Sequence, residues 1–228
     1  MDGNRPSIFS ANKLIFATVA ACAIACAPPT TLAQKGTIMI ALEKMNIGSP
    51  PAGFEFARTG QGGTGQWAVV SDPSASGGRA IEQSSTEQTD YRFPLAIYTP
   101  LAAKNGEAVV RFKSVAGKVD QAAGIVMRLT DANNYYVVRA NALENNVRFY
   151  RVVKGRREEL KGANIKVSGN EWHTLALKAD GDRFAIIYDG KQLFEAADST
   201  FKDAGKIGLW TKADSVTRFD SIEIKTLP

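Results

Sequence analysis

The feature that most constrains this chain is the rhythm of residues 171–225. Short runs of alternating apolar and polar residues are cut there by Asp180-Gly181-Asp182, Asp189-Gly190 and Ala204-Gly205. Trp172, Leu175 and Leu177 open the first run, Phe184, Ile186 and Tyr188 the second, and Leu193 and Phe194 the third. Ile207 and Leu209, then Phe219, Ile222 and Ile224, supply the last two. A period of two marks a half-buried strand, and Asp-Gly supplies the positive φ that a tight hairpin needs. The expectation is an all-β chain folded as an antiparallel two-sheet sandwich.

The middle of the chain repeats the rhythm. Residues 108–113, 123–130, 134–140, 147–153 and 156–161 read as successive strands. Asp131-Ala132-Asn133, Glu144-Asn145-Asn146 and Lys154-Gly155 join them, using residues that tolerate left-handed backbone. Nearer the start, residues 37–45 are an apolar run expected to pair with the C-terminal strand, 216–225. Residues 48–65 are rich in Gly, Pro and Ala and read as a long surface loop. Residues 67–70 and 80–83 read as strands around a turn at 72–78. No stretch has helical periodicity beyond one short turn at 196–204, ended by Gly205. With no internal repeat or linker, residues 34–228 read as one domain.

Residues 1–33 stand apart. Arg5 and Lys13 precede an apolar run at 14–27, Pro28-Pro29 breaks it, and Thr31-Leu32-Ala33 fits a signal-peptidase site. The apolar run is shorter than the roughly 20 residues that a membrane span needs. Val19-Ala20-Ala21-Cys22 offers the alternative of a lipoprotein signal acylated at Cys22. Either way the expectation is export, to a secreted or periplasmic location, with contact to a membrane only if Cys22 is lipidated.

Both cysteines, Cys22 and Cys26, lie in this segment. The remaining chain of about 195 residues must therefore hold its fold by core packing alone, and it is long enough to do so. The formal charge of +5 falls to +4 when Asp2, Arg5 and Lys13 are removed. That is far from a nucleic-acid footprint.

Four ordered motifs carry a family resemblance: Trp-His-x-Leu at 172–175, Tyr-Asp-Gly-Lys at 188–191, Gly-Lys-Ile-Gly-Leu-Trp at Gly205–Trp210 and Phe-Asp-x-Ile at 219–222. Together with the block 124–141 they resemble the concanavalin A-like lectin/glucanase superfamily. Within it, they are most similar to laminin-G-like domains of the 3-keto-disaccharide hydrolase type found in secreted bacterial proteins. The resemblance implies a jelly-roll sandwich with a concave sheet face. It leaves activity open, because the scaffold hosts lectins, binding modules and glycosidases alike.

Strand alternation supplies a candidate site. With Val110 and Phe112, Ile125, Met127 and Leu129, and Val147 and Phe149 facing the core, Arg111, Arg128, Arg139 and Arg148 share the outer face of one sheet. By the resemblance, that face is the concave one. Tyr135 and Tyr150 interleave with the arginines, and Trp210 falls on the same side as Gly208 and Lys212. Guanidinium forks present paired donors to carboxylates, sulfates and vicinal hydroxyls, while aromatic faces stack on sugar rings. The expected ligand is a carbohydrate or an acidic sugar. The same stripe also fits a solvated face whose arginine stems cover apolar surface, and a bulge would scramble the assignment.

Asp90 and Glu82 are the carboxylates expected to border the groove. The Glu-x-Asp-x-x-Glu spacing of retaining glucanases of this superfamily is missing, so a non-catalytic binding domain is the first expectation. A 3-keto-disaccharide hydrolase or lyase and a laminin-G-like protein-interaction domain are the alternatives. His173, the one histidine, has no cysteine ligands or nucleophile elbow to work with and reads as packing. Asp180, Asp182, Asp189, Asp198 and Asp203 lack calcium-loop spacing, so neither metal nor cofactor is assigned.

Overall fold

The computed structural model describes residues 1–3 and 36–227, and the predicted leader with Cys22 and Cys26 lies outside them. The order of elements begins with β1 (Gly36–Met39), β2 (Phe54–Gly60), β3 (Trp67–Ser71), β4 (Arg79–Gln83) and β5 (Arg92–Ala103). It continues through β6 (Asn105–Ala116), β7 (Ala122–Asp131), β8 (Asn134–Asn141), β9 (Asn146–Val153) and β10 (Arg156–Asn164). The last five are β11 (His173–Asp180), β12 (Arg183–Tyr188), β13 (Lys191–Ala197), β14 (Gly205–Trp210) and β15 (Val216–Leu227).

These strands form two antiparallel sheets. An eight-stranded sheet runs β13-β12-β11-β6-β15-β4-β3, with β1 added on β15, and a seven-stranded sheet runs β10-β9-β8-β7-β14-β5-β2. The expected closure of the N-terminal run against the C-terminal strand is present over Gly36–Met39, with Ile38 opposite Ile224, while Leu42–Lys44 of that run form a 3-10 turn instead of strand. The hairpin turns at Lys154-Gly155 and Asp189-Gly190 carry the paired positive φ values that a two-residue turn requires.

Between the sheets the alternation buries one face of each strand. Val110, Phe112, Leu175, Leu177, Phe184, Ile186 and Phe219 from one sheet meet Ile125, Met127, Tyr136, Val138, Phe149, Ile207 and Leu209 from the other. Tyr136 and Phe149 close on Phe184 with ring centroids 4.6 and 5.0 Å apart. Each fully buried large apolar side chain contributes about 1.5–3 kcal/mol, so the packed layer needs no covalent crosslink.

Three expectations are corrected. The span 48–65 is not one loop. Phe54 and Phe56 keep a period of two between flanking glycines, and β2 pairs along the whole of its length with β5. β5 escaped the sequence reading because Pro94 and Pro100 argue against a central strand. Pro94 is accommodated because only its carbonyl is needed, which accepts from Thr211 N at 3.0 Å. Residues 196–204 hold no helical turn. Gly205 is not a turn residue either: it begins β14, where an added Cβ would lie 2.4 Å from the carbonyl carbon of Arg128.

Candidate functional site

The seven-stranded sheet curls around its outward face. Tyr135 of β8 and Thr59 of β2 are four strand spacings apart in the sheet order, which is about 19 Å in a flat sheet. Their hydroxyls nevertheless meet at 2.6 Å, and Thr59 Oγ1 also donates to Ala132 O at 2.5 Å. Tyr91 Oη donates to Gly155 O and accepts from Arg157 N, each at 3.0 Å, so the β9–β10 hairpin tip is tied over the face as well. Burial pushes the Tyr135 hydroxyl up to about 12, which keeps it a donor to Thr59. The curl coincides with register breaks in β7 beyond Met127 and in β14 beside Lys206. Bulges sharpen bend and twist in this way.

Inside the curl lies a second apolar cluster. Phe93, Leu95, Val126, Tyr135, Val137, Val152 and Trp210 are all fully buried there. Trp210 stacks on Phe93 at 5.2 Å. Gly124, opposite Trp210, leaves room for the indole, since a Cβ there would sit 3.2 Å from the ring and 2.8 Å from Val138 O. The Arg157 guanidinium covers the cluster, 4.8 Å from the Phe93 ring and 4.5 Å from Tyr150. Nothing in the alternation of β10 marked this residue as functional.

Along β8 the same face changes from apolar to polar. Tyr135 and Val137 give way to Arg139 and Asn141, and across from them on β9 stand Arg148 and Asn146. Arg139 Nη2 donates to Glu144 Oε2 at 2.6 Å and to Tyr150 Oη at 3.2 Å, and its Nη1 donates to Asn146. Lys212 Nζ bridges Asp120 at 2.6 Å and Asp90 at 3.3 Å. Asn141 Nδ2 donates to Asp120, and Asp214 accepts from the backbone N–H groups of Lys118, Val119 and Asp120, which holds that loop in place. The side chains step outward from Asp120 at 1% exposure and Arg139 at 5%, through Lys212 at 16%, to Glu144 at 42% and Asp90 at 78%.

The two carboxyls of this cluster are pushed in opposite directions. Burial raises Asp120 above its ordinary value, and the Lys212 ammonium only partly offsets it. Burial would raise Glu144 too, but Arg139 and Asn146 hold it below the usual range. Burial lowers Lys212, yet Asp120 and Asp90 together hold its ammonium above its ordinary value. Asp120 feels Lys212, Glu144 and Arg139, and Glu144 feels Arg139 and Lys212, so these groups form one electrostatic cluster.

Of the residues expected on the stripe, Tyr135, Arg139, Arg148, Tyr150, Trp210, Lys212 and Asp90 share this face. Tyr135 and Trp210 line its sealed apolar end. Arg148 stands beside Arg139, with Asn164 at 2.7 Å and Glu159 at 3.3 Å. Three expectations fail. Arg111 lies on the outward face of the eight-stranded sheet, against Asp220 at 3.2 Å and over the Trp172 ring. Arg128 sits on the bulge with φ of 52° and turns inward over Phe184, while Leu129 takes its place on the outward face. Glu82 belongs to the eight-stranded sheet too, bonded to Arg218 at 2.6 Å.

Asp120, Asn141, Glu144, Asn146 and Arg157 are the members that were not among the expected site residues. Asp120 and Glu144 sit in connections, where no period exists, while Asn141 and Asn146 are the end residues of β8 and β9, in phase with Arg139 and Arg148. The cluster of Asn and Glu immediately after Arg139 was the signal available. His173 packs between Phe112 and Tyr188 and binds Asp189 at 2.8 Å. Among the described residues, no group of three or more His, Cys, Asp or Glu stands close enough to hold a metal.

Two antiparallel sheets packed face to face, one of them curled with polar groups gathered on its outward side, define a concanavalin A-like jelly-roll sandwich. Residues 103–227, more than half of the chain, match the family described as galactocerebrosidase, C-terminal lectin domain, and the chain belongs to that family. Levanase of Bacillus subtilis (strain 168) is 30% identical over 79 residues, which is 35% of this chain and 12% of levanase. Among solved structures, a carbohydrate binding module, CBM66, from Bacillus subtilis superposes with a TM-score of 0.58 at 21% identity, covering 75% of this chain and 95% of the module. A Bacillus licheniformis beta-glucanase gives 0.55 at 15% identity, covering 86% and 100%. Both structures share the fold with this chain.

Proposed function

We propose that this chain is an exported, non-catalytic carbohydrate-binding domain that takes a sugar at the polar end of its curled sheet face. The observation that carries this reading is the cluster Arg139–Glu144–Lys212–Asp120, graded from buried to exposed beside Tyr150. A sugar hydroxyl donates one hydrogen bond and accepts others, so recognition needs fixed donors and fixed acceptors side by side. Paired guanidinium, ammonium and carboxylate groups provide both, already oriented and partly desolvated. Membership of a lectin-domain family supports the reading, as does the fold shared with a carbohydrate binding module.

The charges of Arg139, Arg148 and Lys212 are each met by a carboxylate. That balance favours a neutral, hydroxyl-rich sugar over the acidic one that an unpaired arginine stripe would attract. A glycan array with neutral and acidic arms tests this. Binding confined to uronates or sulfated sugars would overturn the choice, and binding to none would overturn the function. The export reading is tested separately by mass spectrometry of the exported protein: a chain beginning at Gln34 supports cleavage after Ala33, and a diacylglyceryl mass on Cys22 supports lipidation.

A second reading, cleavage of a glycoside, draws on one observation. Asp120 and Glu144 are shifted in opposite directions within one cluster, as the acid and base of a hydrolase are. Turnover of oxidised disaccharides or neutral glycans that disappears in Asp120→Asn would favour it. No turnover by a domain that binds the same glycan would exclude it.

A further inference from the structure

Arg128 marks a second site, independent of the curled face. It is 1% exposed. Its Nε donates to Lys104 O at 2.8 Å, Nη1 to Phe201 O at 2.9 Å and Nη2 to Gly181 O at 2.5 Å. These carbonyls come from three separate connections, β5–β6, β13–β14 and β11–β12. The guanidinium thus has neutral acceptors where a buried cation ordinarily has a carboxylate. Three of its five N–H groups are accounted for. Burial lowers its proton affinity, and Tyr136 and Asp182 offset that only in part.

Arg128 lines a cavity of about 350 Å³ whose wall also carries Lys104, Lys202, Asp182 and Ser199. These four side chains are exposed at the surface. Three cations against one carboxylate give the cavity a positive field, deepened by its low-dielectric wall.

We infer that this cavity is an oxyanion site, taking a carboxylate, sulfate or phosphate group between the Arg128 guanidinium at its base and the Lys104 and Lys202 ammoniums at its mouth. An arginine that served only to latch three loops would need the carbonyls and have no use for the two lysines. An oxyanion uses both, and it supplies the full negative charge that the carbonyls lack.

The experiment follows the amide NMR signals of Gly181, Ser199 and Lys202 while the folded domain is titrated with sodium sulfate, with glucuronate, and with sodium chloride at matched ionic strength. The account expects saturable shifts with a dissociation constant on the order of 1 mM for at least one oxyanion. Tighter binding of sulfate points to a free inorganic anion, and tighter binding of glucuronate to a sugar carboxylate. The double variant Lys104→Ala/Lys202→Ala, both positions being exposed, should keep the wild-type melting temperature without anion and bind about tenfold more weakly or worse. Arg139→Ala on the curled face should leave this titration unchanged, which separates failure here from failure of the sugar-binding reading. No saturable shift, an equal shift with chloride, or full affinity in the double variant would each overturn the inference.

Discussion

The outward faces of the two sheets are built from the same alternation and end in opposite environments. On the eight-stranded sheet Trp172, Arg111 and Arg218 stay partly exposed at the water's edge. Trp172 lies between Arg111 and Lys113, each 4.9 Å from its ring, and Arg218 bridges Asp72 at 3.0 Å and Glu82 at 2.6 Å. Arg111, Lys113 and Arg218 there are each paired with a carboxylate. On the seven-stranded sheet the curl brings strands together across the face, turning half of it into a second core and leaving on the other half a charged cluster graded from buried to exposed. An outward position is therefore exposed or buried according to sheet curvature, and curvature is what gathers a row of charges into one cluster.

The largest expected effect breaks that comparison at its two tryptophans. Trp210→Ala should lose about 3–5 kcal/mol in urea denaturation, because a fully buried indole leaves a cavity behind. Trp172→Ala should lose about 1 kcal/mol, as a half-buried surface ring does. Similar losses at the two positions would show that the curled face is not a second core.

Next in size is ligand binding. Arg139→Ala should weaken glycan affinity by more than about tenfold, losing charge-assisted bonds of about 1.5–3 kcal/mol and leaving Glu144 unpaired. Arg111→Ala, shown by circular dichroism to be folded like the first variant, should bind as wild type does. Equal losses would mean that the ligand spans both faces or touches neither.

A smaller effect sharpens the comparison through acid titration. Burial favours the neutral form of Asp72, but Lys113, Ser74 and Arg218 outweigh it and hold the carboxyl well below the usual range. A depressed carboxyl contributes stability that is complete above the unfolded value of about 3.9 and is lost as pH falls from there toward the folded value. Asp72→Asn should accordingly be less stable by about 1–2 kcal/mol near neutrality. That gap should narrow steadily below the unfolded value. A gap that stays constant with pH would show that the ion-pair lattice is not what Asp72 contributes. The smallest effect belongs to Arg148→Ala, whose partner Glu159 is half exposed, with a change in stability of about 0–1 kcal/mol.

The fold was largely legible because period-two alternation and Asp-Gly turns are local signals. The strands from β6 to β12 and the closure of β1 on β15 follow from them directly. Two strands were not, since Pro94 and the glycines around Phe54 and Phe56 imitate loop composition. The placement of the candidate residues was legible on regular strand, at Arg139, Tyr150 and Trp210, and two residues beyond the end of β14 at Lys212. It failed at Arg128 because one bulge residue shifts the phase, so that Leu129 and Arg128 exchange faces. Asp120, Glu144 and Asn146 were hidden because strand ends and turns are brought together by the curl, and no sequence period encodes curl.

Sugar binding at the polar end of the curled face is tested most directly by amide and side-chain chemical-shift mapping of the domain during titration with a glycan selected on the array. The account predicts saturable shifts at Asn141, Glu144, Asn146, Tyr150 and Lys212, with the Arg111, Lys113 and Trp172 signals of the opposite sheet unmoved. Shifts centred on Trp172 and its neighbours, with the Arg139 cluster silent, would contradict it.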